Sequence, residues 1–438
     1  MTIYRLTEED YTRILMFKRD LHMHPELSRK EVRTSAKIRD FLSTLPDFRI
    51  LPLETETGTG VAAQIIGEPN KAEREAAQII GEPNKAEREA ALTGVCESRQ
   101  TGGGRKYDCG EAVQDTSLLP TEIMLRADID ALPQTEAYES PWKSQTPGIM
   151  HACGHDFHTA SLLGAALLLQ RAKKDGALRN TVDLVFQPAE EGTTGAGVMI
   201  DAGLFEMIHP SYCFGIHNWP SVQTGRIACH EGALMSAKRN FQICIHGTGG
   251  HGSMPHLSID PIVCAATVVQ SLQTVVSRNT DPLDAAILTI NMIEGGSHMN
   301  LVADKVLMRG SVRSLSDAAL DRAIERVAAI TEKTAEAYEC RAEILWKDRI
   351  PAVWNSPEMT ALAKKCAAAT GCEVTDAPPS LASEDFSRYR AFVPSFFYWV
   401  GSTAAGDEPQ ELHKPRFHTD DIALRHAAEL YAVSAMLP

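Results

Sequence analysis

The chain has 438 residues, 44% of them hydrophobic and 23% charged, which is enough for two domains with real apolar cores. A formal net charge of -14 argues against a nucleic-acid-binding surface, which needs clustered Lys and Arg, and against an anionic membrane. The opening residues show no basic region followed by an apolar run, and no stretch reaches the roughly 18 to 20 apolar residues of a membrane helix. The expectation is therefore a cytoplasmic protein whose ten cysteines are reduced.

Residues 7 to 45 read as a helix pair interrupted at HMHPELS by Pro25, and 60–66 and 123–127 read as strands. Between those strands the phrase AAQIIGEPNKAERE is written twice in tandem at 62–89, followed by the polar, Gly-rich CESRQTGGGRKYDCGEAVQDT. Solenoids need three or more stacked units, usually of about 20 residues or longer. Residues 67–122 are instead expected to be a surface loop inserted between two neighbouring strands, with a tandem duplication and no catalytic role.

Next, HDFHTASLLGAALLLQRAKKDG reads as a long, mostly buried helix ending at Gly176, and TVDLVFQP as a strand stopped by Pro188. AGVMIDAGLF reads as a short helix and YCFGIH as another strand. Strands alternating with helices, several of them continuous apolar runs, predict an α/β sheet covered by helices on both faces.

From about 237 the texture changes. KRNFQICIHG alternates like a half-exposed strand, IDPIVCAATVVQSLQTVVSRN is an amphipathic helix, AAILTINMIEGG and DKVLMRGSVRS are strands, and LDRAIERVAAITEKTAEAYE is a second helix. This block, 235–343, is expected to be an α+β lid domain inserted into a catalytic domain built from 1–234 and 344–438. In the second part of that catalytic domain SFFYWVGS and the final helix ALRHAAELYAVSAML resume the first texture.

Polar residues gather where strands end. IMLRADIDALP carries Asp128 and Asp130, VDLVFQPAEEG carries Glu190 and Glu191, and YCFGIHNWP carries His217. MHACGHDFH places His151, Cys153, His155, Asp156 and His158 close together. Open α/β sheets put their sites outside the carboxyl ends of the strands, so these groups would meet there. His, Cys, Glu and Asp in one crevice are metal-ligand types, and the glycine of Cys-Gly-His permits the bend that turns two ligands to one centre. HACGHD also reads as a helix start capped by Asp156 with solvated histidines. Two adjacent glutamates on one ion would crowd their like charges, so one is expected on metal and the other free as general base toward the attacking water.

The stretches FKRDLHMHPELSRKE, LRADIDALP, MHACGHDFHT, FQPAEEGTTGAGVMIDAGLF, GIHNWP, GTGGHGSMPH, GSVRSL, ASEDFSRY and ELHKPRFHTDD carry a resemblance over nearly the whole chain except 67–122. The chain resembles the metal-dependent amidohydrolases related to aminoacylase and hippurate hydrolase, the branch that includes the auxin-conjugate hydrolases. The resemblance implies two divalent ions, manganese or zinc, per subunit, held by Cys153, His155, Glu191, His217 and His413, with Cys153 shared as a thiolate. His418 is the other candidate for the last ligand, but ELHKP fits the family pattern better. The resemblance makes Glu190 the general base and Asp130 an orienting group.

It also implies that the inserted domain is a lid that pairs two subunits into a homodimer, with a hinge near 235 and 343. His251 in GTGGHGSMPH would stabilise the oxyanion, often from the partner subunit. Asn300 would help bind the same group, and Arg313 would hold the substrate carboxylate. The implied substrate is a small N-acyl amino acid, hippurate-like or an indole-3-acetyl conjugate such as indole-3-acetyl-aspartate. The competing readings are a dipeptidase or carboxypeptidase on the same ions, and a non-catalytic binding protein of the same fold.

Overall fold

The computed structural model describes residues 2–68 and 121–436. Almost all of the expected insertion, including the tandem duplication past residue 68, lies outside the described residues.

The chain opens with α1 (Glu8–Met23) and α2 (Val32–Ser43), then β1 (Phe48–Ile50), β2 (Val61–Ile65) and β3 (Glu122–Asp128). Next come α3 (His155–Lys174), β4 (Thr181–Gln187), the short α4 (Gly195–Asp201) and α5 (Leu204–Met207), β5 (Tyr212–Gln223), β6 (Arg226–Ala228) and β7 (Gly232–Met235). After an inserted stretch, β14 (Val353–Asn355), α8 (Pro357–Thr370), β15 (Glu373–Thr375), β16 (Ser395–Thr403) and α9 (Asp421–Met436) return to the same unit.

The large sheet is mixed and eight-stranded, in the order β1-β2-β4-β3-β5-β16-β6-β15. Its centre is parallel: β3 runs with β4 and with β5, and β5 with β16. The strands flanking the insertion, β2 and β3, are consecutive in the chain but not neighbours in the sheet, because β4 lies between them. β5 also runs past the expected end of YCFGIH to Gln223, its register with β16 shifting between Trp219 and Gln223, where Pro220 lies. A proline in a strand is tolerated at such an irregularity.

Both faces of this sheet are covered, which is why its central strands read as unbroken apolar runs. Ile123, Leu125 and Ala127 of β3 enter the core formed with the long α3 and α9. Met124 points the other way, into a second core with Met199, Leu204 and Phe386. By the same period of two, Arg126 and Asp128 belong to the second face.

The inserted stretch has its own sheet and its own core. β8 (Ala237–His246), β9 (Gly250–His251), α6 (Pro261–Asn279), β10 (Ala286–Gly295), β11 (Leu301–Val302), β12 (Lys305–Ser314), α7 (Asp317–Ala337) and β13 (Arg341–Ile350) follow in order. The strands β10-β12-β8-β13 form an antiparallel sheet. Phe241, Ile243 and Ile245 of β8 are buried with Val268 and Leu272 of α6 and Val327 of α7. The alternate residues Lys238, Asn240 and Gln242 therefore lie on the sheet face without helices. β13 continues to Ile350, past the expected boundary at 343, and the ladder between β7 and β14 closes the junction. Among the described residues no helix is long and apolar enough to cross a membrane.

Candidate metal centre and active site

The segment MHACGHD bends at Gly154, whose φ of +91 lies in the left-handed region. A Cβ there would sit 2.1 Å from Asn218 Oδ1, so glycine is needed for conformation and for space alike. Gly154 is also the residue before α3, and no side chain caps that helix. Asp156 lies inside the helix and accepts from His22 at 2.8 Å, so its expected role as a cap is not the one observed.

The bend sets Cys153 and His155 facing the strand ends. Cys153 Sγ lies 3.4 Å from His217 Nε2 and 3.3 Å from His413 Nε2. Glu191 Oε1 is 3.3 Å from His413 Nε2 and 3.9 Å from His155 Nε2. Two overlapping groups result, Cys153–His155–His217 and Cys153–Glu191–His413, each with ligand atoms within 4.8 Å of one another. His418 stacks on Tyr138 at 4.1 Å and belongs to neither.

The neighbours of these residues fix which atoms face inward. His155 Nδ1 donates to Asp130 Oδ1 at 3.1 Å, leaving Nε2 as the nitrogen that faces the cluster. His217 Nδ1 donates to the Asn218 carbonyl at 2.6 Å, again leaving Nε2 free. Asp130 also accepts the Ser28 hydroxyl at 2.6 Å and the backbone N–H groups of Glu190 and Glu191 at 3.1 Å each. One buried carboxylate thus orients a histidine and pins the turn that carries both glutamates. The turn is tight: Ala189 and Thr193 have positive φ, and a Cβ on Gly195 would meet the Pro188 carbonyl at 1.6 Å.

His158, the third histidine of the segment, is spent elsewhere. Its Nδ1 donates to Asp128 at 2.6 Å, and its Nε2 accepts the Asn218 N–H at 2.9 Å. Below the cluster, fully buried Arg126 pairs with Asp128 at 2.8 Å, Glu384 at 3.0 Å and Asp385 at 3.2 Å.

The electrostatics show what this arrangement lacks. Burial, then the Glu384 and Glu191 carboxylates, push the Glu190 carboxyl well above the usual range. Burial, then Glu191 and Glu190, do the same to the Cys153 thiol. Burial opposes a charged His155, but Asp128 and Asp130 outweigh it and hold its pKa up at about 10. The cluster is crowded with acidic groups, and the buried Arg126 is committed to the three carboxylates beneath. His155 Nε2 and Glu191 Oε1 are buried without a hydrogen-bond partner. Soft and borderline donors with two inward atoms unsatisfied fit divalent cations.

The cavity over the cluster is lined on its other side by Lys238, Arg313, Ser383 and Glu384. Arg313 donates to the Leu381 carbonyl at 2.9 Å. His251 and Asn300 are not brought to this cavity within the chain: both are exposed, His251 pairing with Leu301 where β9 meets β11 and the Asn300 carbonyl accepting the Gly252 N–H. Glu384, Lys238 and the Asp128–His158 pair are parts of the site to which the sequence pattern assigned no role. The ASEDF run, an acidic pair ahead of a buried phenylalanine, was the available signal for Glu384. Lys238 looks like any solvated strand lysine until the fold turns it to the cleft.

A mixed α/β sheet with such a cluster at its strand ends is the framework of a hydrolase that acts on amides. Residues 124–436 match Peptidase family M20/M25/M40, and the chain belongs to that family. It is 35% identical over 427 residues to an N-acetylcysteine deacetylase of Bacillus subtilis, covering 98% of this chain and 97% of that protein. It is 36% identical over 320 residues to IAA-amino acid hydrolase ILR1-like 4 of Arabidopsis thaliana, covering 72% of each. A solved Bacillus subtilis structure, described as a dinuclear metal-binding peptidase of the M20 family, superposes with a TM-score of 0.75 at 32% identity over 98% of both chains.

Proposed function

We propose that the protein cleaves the amide bond of N-acyl amino acids, releasing a carboxylic acid and an amino acid, with two divalent ions, manganese or zinc, per subunit. The observation that carries this reading is the convergence of Cys153, His155, Glu191, His217 and His413 in two groups that share Cys153, beside a cavity that Glu190 also lines. When bound, the ions supply Lewis acidity toward the amide carbonyl and toward water. Glu190 takes the proton from the attacking water and returns it to the leaving amine. Asp130 holds the His155 ring and the glutamate turn in register. Arg313 holds the substrate carboxylate.

Hippurate-like compounds and indole-3-acetyl-amino acids, indole-3-acetyl-aspartate among them, are the substrates to try first. The named relatives share the chemistry of an acylated amino acid: one is a deacetylase of N-acetylcysteine, another a hydrolase of IAA-amino acids. We assign His251 and Asn300 to the cavity of a partner subunit in a homodimer paired through the lid. Exposed apolar residues on that lid, including Ile262, Val263, Leu283 and Ile293, support a covering partner.

The test is a panel of N-acyl amino acids beside dipeptides with free amino termini, run with and without added manganese or zinc. Metal-dependent turnover of the acylated compounds supports the reading. Turnover of the free dipeptides alone would make the protein a dipeptidase on the same centre.

A further inference from the structure

The cavity over the cluster opens onto the helix-free face of the lid sheet, and that face is basic. Lys238 of β8 stands directly opposite Arg313 of β12, and both line the cavity that holds Glu190, Glu191 and His413. The same two residues line the next hollow along the sheet, of about 530 Å³, together with Arg309 and Lys347. Four register pairs further along β12, and on the same face, Arg309 faces Gln242. The rest of that hollow is polar or neutral: Asn240, Gln242, Asn291 and Ser311 among others, with no carboxylate.

Like charges directly opposite on adjacent strands are destabilising. Here the chain sets four cations on one face while carrying a formal net charge of -14. Among the described residues none of the four is ion-paired. Arg309 donates to Gln242 Oε1 at 3.1 Å and to Met292 Sδ at 3.5 Å, and Arg313 to the Leu381 carbonyl, which leaves neither guanidinium facing a carboxylate. Three acids line the far side of the cavity, Glu190, Glu191 and Glu384, but none is ion-paired with Lys238 or Arg313: Glu384 is on Arg126 and Glu191 lies beside His413. Lys238 and Arg313 are half-buried, whereas Arg309 and Lys347 are exposed, so the track runs from solvent to the reacting centre.

Resting on the hydrolase reading above, we infer that the amino-acid part of the substrate is dicarboxylic. One carboxylate is held by the Arg313 fork and the second by the Lys238 ammonium. Arg309 and Lys347 form the outer field that draws the dianion in. A planar fork and a compact ammonium side by side suit two carboxylates separated by one or two methylenes. A cleft lined by one sign of charge raises the encounter rate of the opposite sign and loses that advantage as salt rises.

The experiment compares kcat/KM of the metal-loaded enzyme for N-acetyl-aspartate and N-acetyl-glutamate with their neutral isosteres N-acetyl-asparagine and N-acetyl-glutamine. The acidic members are expected to be favoured by about tenfold or more, the scale of one charge-assisted hydrogen bond. Lys238→Met should bring the acid-to-amide ratio down by about tenfold, and Lys238→Arg should restore it. The double variant Arg309→Gln, Lys347→Gln should lower the ratio mainly at low salt. The ratio is the readout, so a change in the rate common to all substrates does not count. A ratio near one in the unaltered enzyme, or a ratio that Lys238→Met leaves intact, overturns the inference while the hydrolase reading stands. If the metal-loaded protein cleaves no N-acyl amino acid of any kind, both fall.

Discussion

The two walls of the cleft are built on opposite principles. The catalytic wall is buried, acid-rich and closed on itself: Asp130 alone takes four hydrogen bonds, and Arg126 answers three carboxylates. The wall on the inserted domain is open and basic, and its cations have few partners of their own. A wall of the first kind holds fixed geometry at the reacting atoms, because each group is over-determined by its neighbours. A wall of the second kind leaves its bonding capacity to whatever enters. The contrast predicts that substitutions in the first wall damage chemistry and stability, whereas those in the second change selection among substrates.

Glu190→Gln puts the sharpest strain on that contrast. It should lower turnover by about 100-fold or more on the scale of general acid–base catalysis, with metal content and thermal midpoint preserved. Steady-state kinetics beside elemental analysis would check it, and unchanged turnover would remove Glu190 from the mechanism. Arg126→Met tests the wall as structure: it strands three buried carboxylates and should destabilise the fold by about 3–5 kcal/mol in denaturant titration. Asp130→Asn should weaken metal affinity by about 10–100-fold by loosening the His155 ring and the glutamate turn.

A gentler test lies in pH. His22 sits between Asp156 at 2.8 Å and Glu136 at 3.2 Å. Burial disfavours its charge, but Asp156 and then Glu136 outweigh burial and raise its pKa from 6.5 to about 9. A group raised on folding contributes its full stability below its unfolded value and loses it as pH climbs through the folded one. Stability should therefore decline between about pH 6.5 and 9, and His22→Gln should flatten that slope, as chemical denaturation at several pH values would show. The smallest expected effect is Arg313→Gln on the inserted domain's wall, a rise in KM of about tenfold with little change in kcat.

The same contrast explains what could be read from the sequence. The catalytic wall is written in compact phrases: HACGHD, PAEEG and the strand-end His217 put ligand types where α/β strands end. The glycine bend anticipated in Cys-Gly-His is present at Gly154, where no other residue has room. The central strands and the long helices α3, α6, α7 and α9 showed as apolar runs or helical periodicity. What stayed hidden had little apolar signal. β13, RAEILWKDRI, is an edge strand with charged, exposed positions, and short β6, β7, β14 and β15 are held by pairing more than by pattern. α8 was announced by the Ser356 cap and Pro357 in its first turn, signals weaker than periodicity. Arg126 was a lone cation in an apolar run, and its burial depends on Glu384 and Asp385, more than 250 residues away. The basic track needs strand register, since Lys238 and Arg313 become neighbours only through the pairing of β8 with β12.

The most direct test of the central claim is a titration of the metal-stripped protein with manganese or zinc, following hydrolysis of an N-acyl amino acid. The account predicts no turnover at the start and full activity near two ions per chain, with Cys153→Ala unable to reach it. Undiminished turnover by the stripped protein would contradict it.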